Sequence, residues 1–90
     1  MTSSKLYRVR KIAKGIINNR PLNYEMVVDE FSTRDEALDA AEDEAAIEKT
    51  LFGNSSNCPI LDYREDSIVL HVPGEPNFEL QIIVEPTFLA

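Results

Sequence analysis

Residues 35–48 read DEALDAAEDEAAIE, and this stretch decides which fold the rest of the chain can adopt. Seven of its fourteen residues are acidic, and alanine, the strongest helix former, fills most of the others. It predicts a single helix, because the other regular runs of the chain alternate as strands do. The acids are then either the solvent-facing side of that helix or a charged surface that imitates nucleic-acid phosphates.

The ends of the helix are marked by residues typical of helix caps. Ser32 or Thr33 can cap the first turn, and an acidic residue three positions further on completes a capping box. At the other end, Gly53 or Asn54 can adopt the left-handed conformation that terminates many helices. We therefore predict a helix over residues 33–52.

Two alternating runs precede the helix and surround a turn at residues 18–21. They predict a β-hairpin over residues 5–31, because alternation of apolar and polar side chains is typical of strands. The alternation of the first run slips near Ile12, shortly before Gly15. A bulge or bend at this position would reset the register.

Three short strands are predicted after the helix, over residues 60–64, 67–72 and 78–85. They form a three-stranded meander over residues 60–85, separated by turns. The element order is β-β-α-β-β-β. Because one helix covers one face of a sheet, the sequence predicts a single α+β domain over residues 1–90, with the helix packed on a mostly antiparallel sheet.

Apolar side chains also fall on the predicted strand faces that point away from the helix. They are Val27, Phe31, Val69 and Ile83. An apolar patch on an uncovered sheet face favours a partner or a homodimer. The alternative is that bulges and twist hide these side chains within the domain.

The charge of the chain is unevenly distributed. Residues 1–20 carry six cations and no acid, whereas residues 21–90 carry three cations and sixteen acids, so the two parts have net charges of +6 and −13. The cations predicted to form an interaction surface are Arg8, Arg10, Lys11, Lys14 and Arg20. Either this basic arm contacts nucleic-acid phosphates, or it is neutralised by Glu25, Asp29 and the acids of a neighbouring strand.

Two acids do not fit the helical pattern. Most acids of residues 35–48 lie on the side opposite the apolar stripe, but Glu44 and Glu48 project into the middle of that stripe. One interpretation is a pair of metal ligands, although a carboxylate site normally has more ligands. The other is that the helix rotates, or its second half leaves the sheet, so that both side chains reach water.

Enzymatic activity is not predicted. His71 and Cys58 are the only histidine and the only cysteine, and no sequence pattern brings them together as a nucleophile and its base. We find no phosphate-binding glycine loop, no metal-ligand spacing and no serine elbow, so we expect no catalytic residues, no metal and no cofactor.

Cysteine content and hydropathy give an expectation for the location of the protein. With one cysteine, an intramolecular disulfide cannot form, and no signal peptide or apolar run long enough to span a bilayer is visible. The sequence therefore predicts a small, acidic, cytoplasmic protein with no membrane contact.

The predicted function is a non-catalytic protein–protein interaction or regulatory module whose partner is another protein or a second copy of the chain. One alternative is a nucleic-acid-associated protein that binds through the basic N-terminal hairpin arm. Another is an acidic inhibitor of the kind that phages make as DNA mimics, which would use the acidic helix.

Overall fold

A computed structural model describes residues 6–53 and 58–87. Its elements are β1 (Tyr7–Ile17), β2 (Arg20–Pro21), β3 (Tyr24–Phe31), α1 (Arg34–Phe52), β4 (Ile60–Tyr63), β5 (Ser67–His71) and β6 (Phe78–Pro86). The predicted α+β class is confirmed, with one helix packed on an antiparallel sheet. The two-residue strand β2 is the one element that the sequence pattern did not show.

The strands form one sheet in the order β2-β1-β6-β5-β4, and β3 pairs with β1 on the same side as β2. The central pair is β1 and β6, whose register runs from Tyr7 opposite Pro86 to Gly15 opposite Phe78. The sheet therefore has β2 and β3 at one edge and β4 at the other.

A two-residue turn joins β1 to β2. Asn18 and Asn19 have φ angles of 54° and 62°, the left-handed values that a type I′ hairpin turn requires at both central positions. Asparagine tolerates this conformation better than other residues with a side chain. The predicted turn at residues 18–21 is correct in place, but Arg20 and Pro21 belong to β2.

The alternation of β1 does not slip. Val9, Lys11 and Ala13 all point toward the helix and are buried, so a lysine takes a position where the pattern calls for an apolar residue. The expected reset near Ile12 is therefore wrong. The register shift lies instead between Val9 and Arg10 in their pairing with β3, where Val28 is the extra residue of a bulge.

The bulge reverses the alternation of β3. Beyond it, Phe31 lies opposite Tyr7 and packs against the core beneath the helix. Its expected place on the opposite face is therefore wrong, because one extra residue in a strand moves every following side chain to the other face.

The helix begins as predicted. Thr33 is its N-cap, the Glu36 amide donates to Thr33 Oγ1 at 3.2 Å, and Thr33 Oγ1 donates to Glu36 Oε1 at 3.0 Å. The end differs from the prediction, because Gly53 has an extended conformation with φ −81°. Asn54, the other expected cap, lies outside the described residues, as do the first predicted residue of the hairpin and most of the loop after the helix.

The core lies between the helix and the sheet. Ala37, Ala41 and Ala45 are at most 1% exposed, and these small side chains let the helix approach the sheet closely. The sheet supplies the larger buried side chains, which include Val9, Ile68, Leu70, Phe78, Leu80, Ile82 and Val84. In the two described ranges, no helix is long and apolar enough to cross a membrane.

Gly15→Ala is expected to destabilise the fold by about 3 kcal/mol or more. Gly15 has φ +126°, and an added Cβ would lie 1.8 Å from the backbone oxygen of Asn77, so both conformation and space exclude a side chain. The matched control is Gly74→Ala, which has φ +85° but open space around the added atom, and which should cost about 1 kcal/mol. Urea denaturation would compare the two, and equal losses would contradict the assigned close contact.

Candidate functional site

A buried ion triad joins the helix to the sheet. The Nζ atom of Lys11 lies 2.7 Å from Glu44 Oε1 and 2.6 Å from Glu48 Oε1. Lys11 and Glu48 are only 7% and 5% exposed, although both belong to residue types that normally reach solvent. The triad therefore replaces a part of the apolar contact between β1 and α1.

The sequence positions the three side chains by the periods of a strand and a helix. Lys11 points inward between Val9 and Ala13 on β1, because alternate strand residues share a face. Glu44 and Glu48 are one turn apart on α1, so they project from the same side and converge on one ammonium group. Neither the lysine on the strand nor the pair of glutamates on the helix indicates an ion triad by itself. Their complementarity is evident only when β1 and α1 are packed together.

This arrangement replaces both sequence-based interpretations of Glu44 and Glu48. They neither rotate into water nor pair as metal ligands, since a lysine occupies the space between them. Within the described ranges, no group of three or more metal-ligating side chains is present. Lys11 is likewise not available to a partner, which corrects its expected place on the interaction surface.

The triad also affects the titration of its members and of Tyr24. Burial alone would lower the pKa of Lys11, but the hydrogen bonds and charges of Glu44 and Glu48 outweigh it and raise the pKa above its ordinary value. The Nζ atom lies 6.0 Å from the centre of the Tyr24 ring. Burial, and then the charge of Glu48, raise the pKa of Tyr24.

The basic arm is partly neutralised by neighbouring strands. Arg8 Nε lies 2.5 Å from Glu85 Oε2, and Arg10 contacts both Glu25 and Glu85. Glu25 was among the partners expected from the sequence, and Glu85 belongs to the neighbouring strand β6. Lys14 and Arg20 are exposed and take no part in the ion pairs found among the described residues.

We call the side of the sheet that points away from α1 the open face. No described element covers it, because the helix packs on the other side. The register of the strands places on it Val27 from β3, Arg8, Arg10, Ile12 and Lys14 from β1, Glu79, Gln81, Ile83 and Glu85 from β6, and Val69 from β5.

The aliphatic residues of the open face differ in accessibility. Val27 is 46% exposed, and Ile12 and Ile83 are half-buried. Val69 is only 1% exposed, and it is flanked by Asp62 and Gln81 of the neighbouring strands. Val69 is therefore not part of an accessible surface, contrary to the expectation from its strand position.

His71 and Cys58 form no hydrogen-bonded pair among the described residues. His71 lies opposite Ile60, the first residue of β4, and Cys58 is exposed two residues before it. Among the hydrogen bonds of the described residues, none joins the two side chains. The geometry shows no nucleophile held by its base.

Comparisons with protein-family models, with curated proteins and with solved structures gave no significant match to this chain.

Lys11→Met is expected to destabilise the protein by about 3–5 kcal/mol, because it leaves Glu48 buried without its counter-ion. The double variant Lys11→Met/Glu48→Leu should recover most of this loss. Its two apolar side chains have a similar volume, and burying them does not require the removal of water from a charged group. Removing the exposed pair with Arg64→Ala is the control and should cost less than about 1 kcal/mol. Chemical denaturation measures all three, and a double variant no more stable than Lys11→Met would contradict the pairing.

The stability of the protein should fall as the pH rises above about 10. The pKa values of Lys11 and Tyr24 are both raised in the folded state, so the unfolded chain loses these protons first and alkali favours unfolding. Tyr24→Phe should make the fall shallower, and Tyr63→Phe, at a tyrosine that is 61% exposed, is the matched control. Denaturation midpoints measured from pH 8 to 11 check this, and an unchanged slope in Tyr24→Phe would contradict it.

Proposed function

We propose that this protein is a non-catalytic protein-binding module that docks through the open face of its sheet. The observation that supports this most directly is the uncovered row of aliphatic residues Ile12, Val27 and Ile83. A chain with one helix covers one sheet face, and an apolar patch left on the other face favours a protein partner.

The arrangement of these residues resembles the anatomy of a protein interface. Ile83 lies directly opposite Arg10, and Arg10 also lies opposite Val27, so the row runs across three adjacent strands. Ile12 is two residues from Arg10 on the same strand and borders the row. Arg10 lies within the row between Val27 and Ile83, and the other charged side chains of β1 and β6 flank it, as the polar rim of an interface flanks its apolar centre.

An unsatisfied donor lies in the same place. Arg10 uses its two terminal nitrogens for Glu25 and Glu85, while its Nε atom is buried and has no hydrogen-bond partner among the described residues. A buried donor without an acceptor costs about 1–3 kcal/mol. An acceptor from a docked protein that displaces the covering side chains would remove this cost.

The two alternatives from the sequence receive less support. Phosphate binding by Arg8 and Arg10 would compete with their bonds to Glu85 and Glu25, and the net charge of −7 repels nucleic acid at long range. The solvent-side acids of α1 lie on the opposite side of the sheet from the aliphatic row. We assign these acids to solubility rather than to mimicry of DNA.

Val27→Lys is expected to abolish capture of the physiological partner, while Met26→Lys should leave it intact. The two residues are adjacent on β3 and each is 46% exposed, but Val27 points to the open face and Met26 to the helix side. Affinity capture from extracts of the source cells, quantified by mass spectrometry, compares the proteins bound by each variant. Equal capture by both variants would contradict docking at the open face.

A further inference from the structure

We propose that the occupant of the open face is a second copy of this chain, bound face to face about a two-fold axis. The axis lies between the two sheets, runs parallel to the strands and passes over the gap between β1 and β6. This inference rests on the proposed function, because it uses the same face. It adds the identity of the partner and the geometry of the contact.

The charges of the two central strands are arranged as opposite rows. On the open face β1 carries Arg8, Arg10 and Lys14, and β6 carries Glu85 and Glu79. Arg8 lies at the same height along the strands as Glu85, and Lys14 at the same height as Glu79. The face therefore has a cationic row beside an acidic row, in matching register.

The proposed symmetry brings these rows together. A two-fold rotation about an axis parallel to the strands does not change the position of a residue along the strand direction. It places β1 above β6 of the partner subunit. Arg8 then faces Glu85 of the partner subunit, and Lys14 faces Glu79 of the partner subunit. Because a two-fold interface is isologous, each of these contacts occurs twice.

The other in-plane orientation is unfavourable. A two-fold axis perpendicular to the strands would place β1 on β1 and β6 on β6 with reversed direction. Arg8 would then approach a second cation, Lys14 of the partner subunit, and the acids of β6 would approach one another. Repulsion between like charges disfavours the dimer with the perpendicular axis, so the charge pattern favours the dimer whose axis is parallel to the strands.

The aliphatic residues gather at this axis. Arg10 is paired with Ile83 and Ile12 with Gln81, so the rotation sets Arg10 against Ile83 of the partner subunit and Ile12 against Gln81 of the partner subunit. The four isoleucines are then diagonal neighbours around the axis. Val27, on the outer strand β3, lies above β5 of the partner subunit. Side chains from two sheets packed in this way interdigitate across a layer about 10 Å thick.

The overall charge of the chain is compatible with this contact. The net charge is −7, but the central strands of the open face carry three cations and two acids. The acidic surface of α1 lies on the far side of each sheet, so the dimer keeps the two acidic helices at its outer surfaces. The distance between the two acidic helices reduces the long-range repulsion between the copies.

The decisive experiment mixes two charge-reversed variants, Lys14→Glu and Glu79→Lys. In a dimer of either variant alone, two like-charge pairs face each other, so the dimer dissociation constant should rise at least about tenfold. In a one-to-one mixture both contacts are again between opposite charges, so heterodimers should form with nearly the wild-type affinity. A purely intramolecular effect would not be repaired by mixing, because it persists within each chain.

The single exposed cysteine, Cys58, allows each variant to be labelled with one dye, and energy transfer between unlike labels reports the heterodimer. Circular dichroism confirms that the variants are folded, and sedimentation of the unmodified wild-type protein gives an independent measure of dimerisation. A wild-type protein that stays monomeric up to about 100 μM, or a mixture of folded variants without recovery, overturns this inference. If the protein is monomeric while Val27→Lys still abolishes capture of a different protein, the proposed docking function is retained. Only the proposal that a second copy of the chain binds the open face is then wrong.

Discussion

The contact of Lys11 with Glu44 and Glu48 is the constraint on which the arrangement of this domain depends. The helix meets the sheet with alanines, which form a smooth surface that would allow sliding or rotation. The ammonium group is satisfied only when both carboxylates lie beside it, which fixes the rotation and the position of α1 along β1. Buried ion pairs seldom add stability over apolar contacts, and their best-attested use is to select one arrangement.

The fixed position of the helix determines which surfaces remain for other contacts. The alanines of α1 pack on the inner face of the sheet, while Ile47 and Leu51 stay exposed. Three cations of the basic arm, Arg8, Arg10 and Lys11, are engaged in ion pairs. What remains is the open face, where Arg8, Arg10 and Glu85 form a cross-strand network around a small aliphatic row. This face combines a small apolar area with paired charges.

Local patterns were enough to predict most of the fold. The helix and its Thr33 cap, the turn at Asn18 and the three C-terminal strands all depend on residues that are close in sequence. Two of the failures share a physical cause. Lys11 and Phe31 were assigned to the wrong surroundings because their positions depend on partners distant in sequence, namely the carboxylates of α1 and the register of β3 after its bulge. A charged residue in an inward strand position breaks the hydrophobic period. No local pattern shows that its counter-ions are located on the helix.

The bulge at Val28 has a further consequence for how the chain can assemble. β3 is an edge strand, and an unbroken edge is a template on which further chains can add without limit. The extra residue interrupts the regular spacing of the backbone donors and acceptors along β3, so a second strand cannot pair with it over its full length. The longer of the two sheet edges is thereby a poorer template for the addition of further strands.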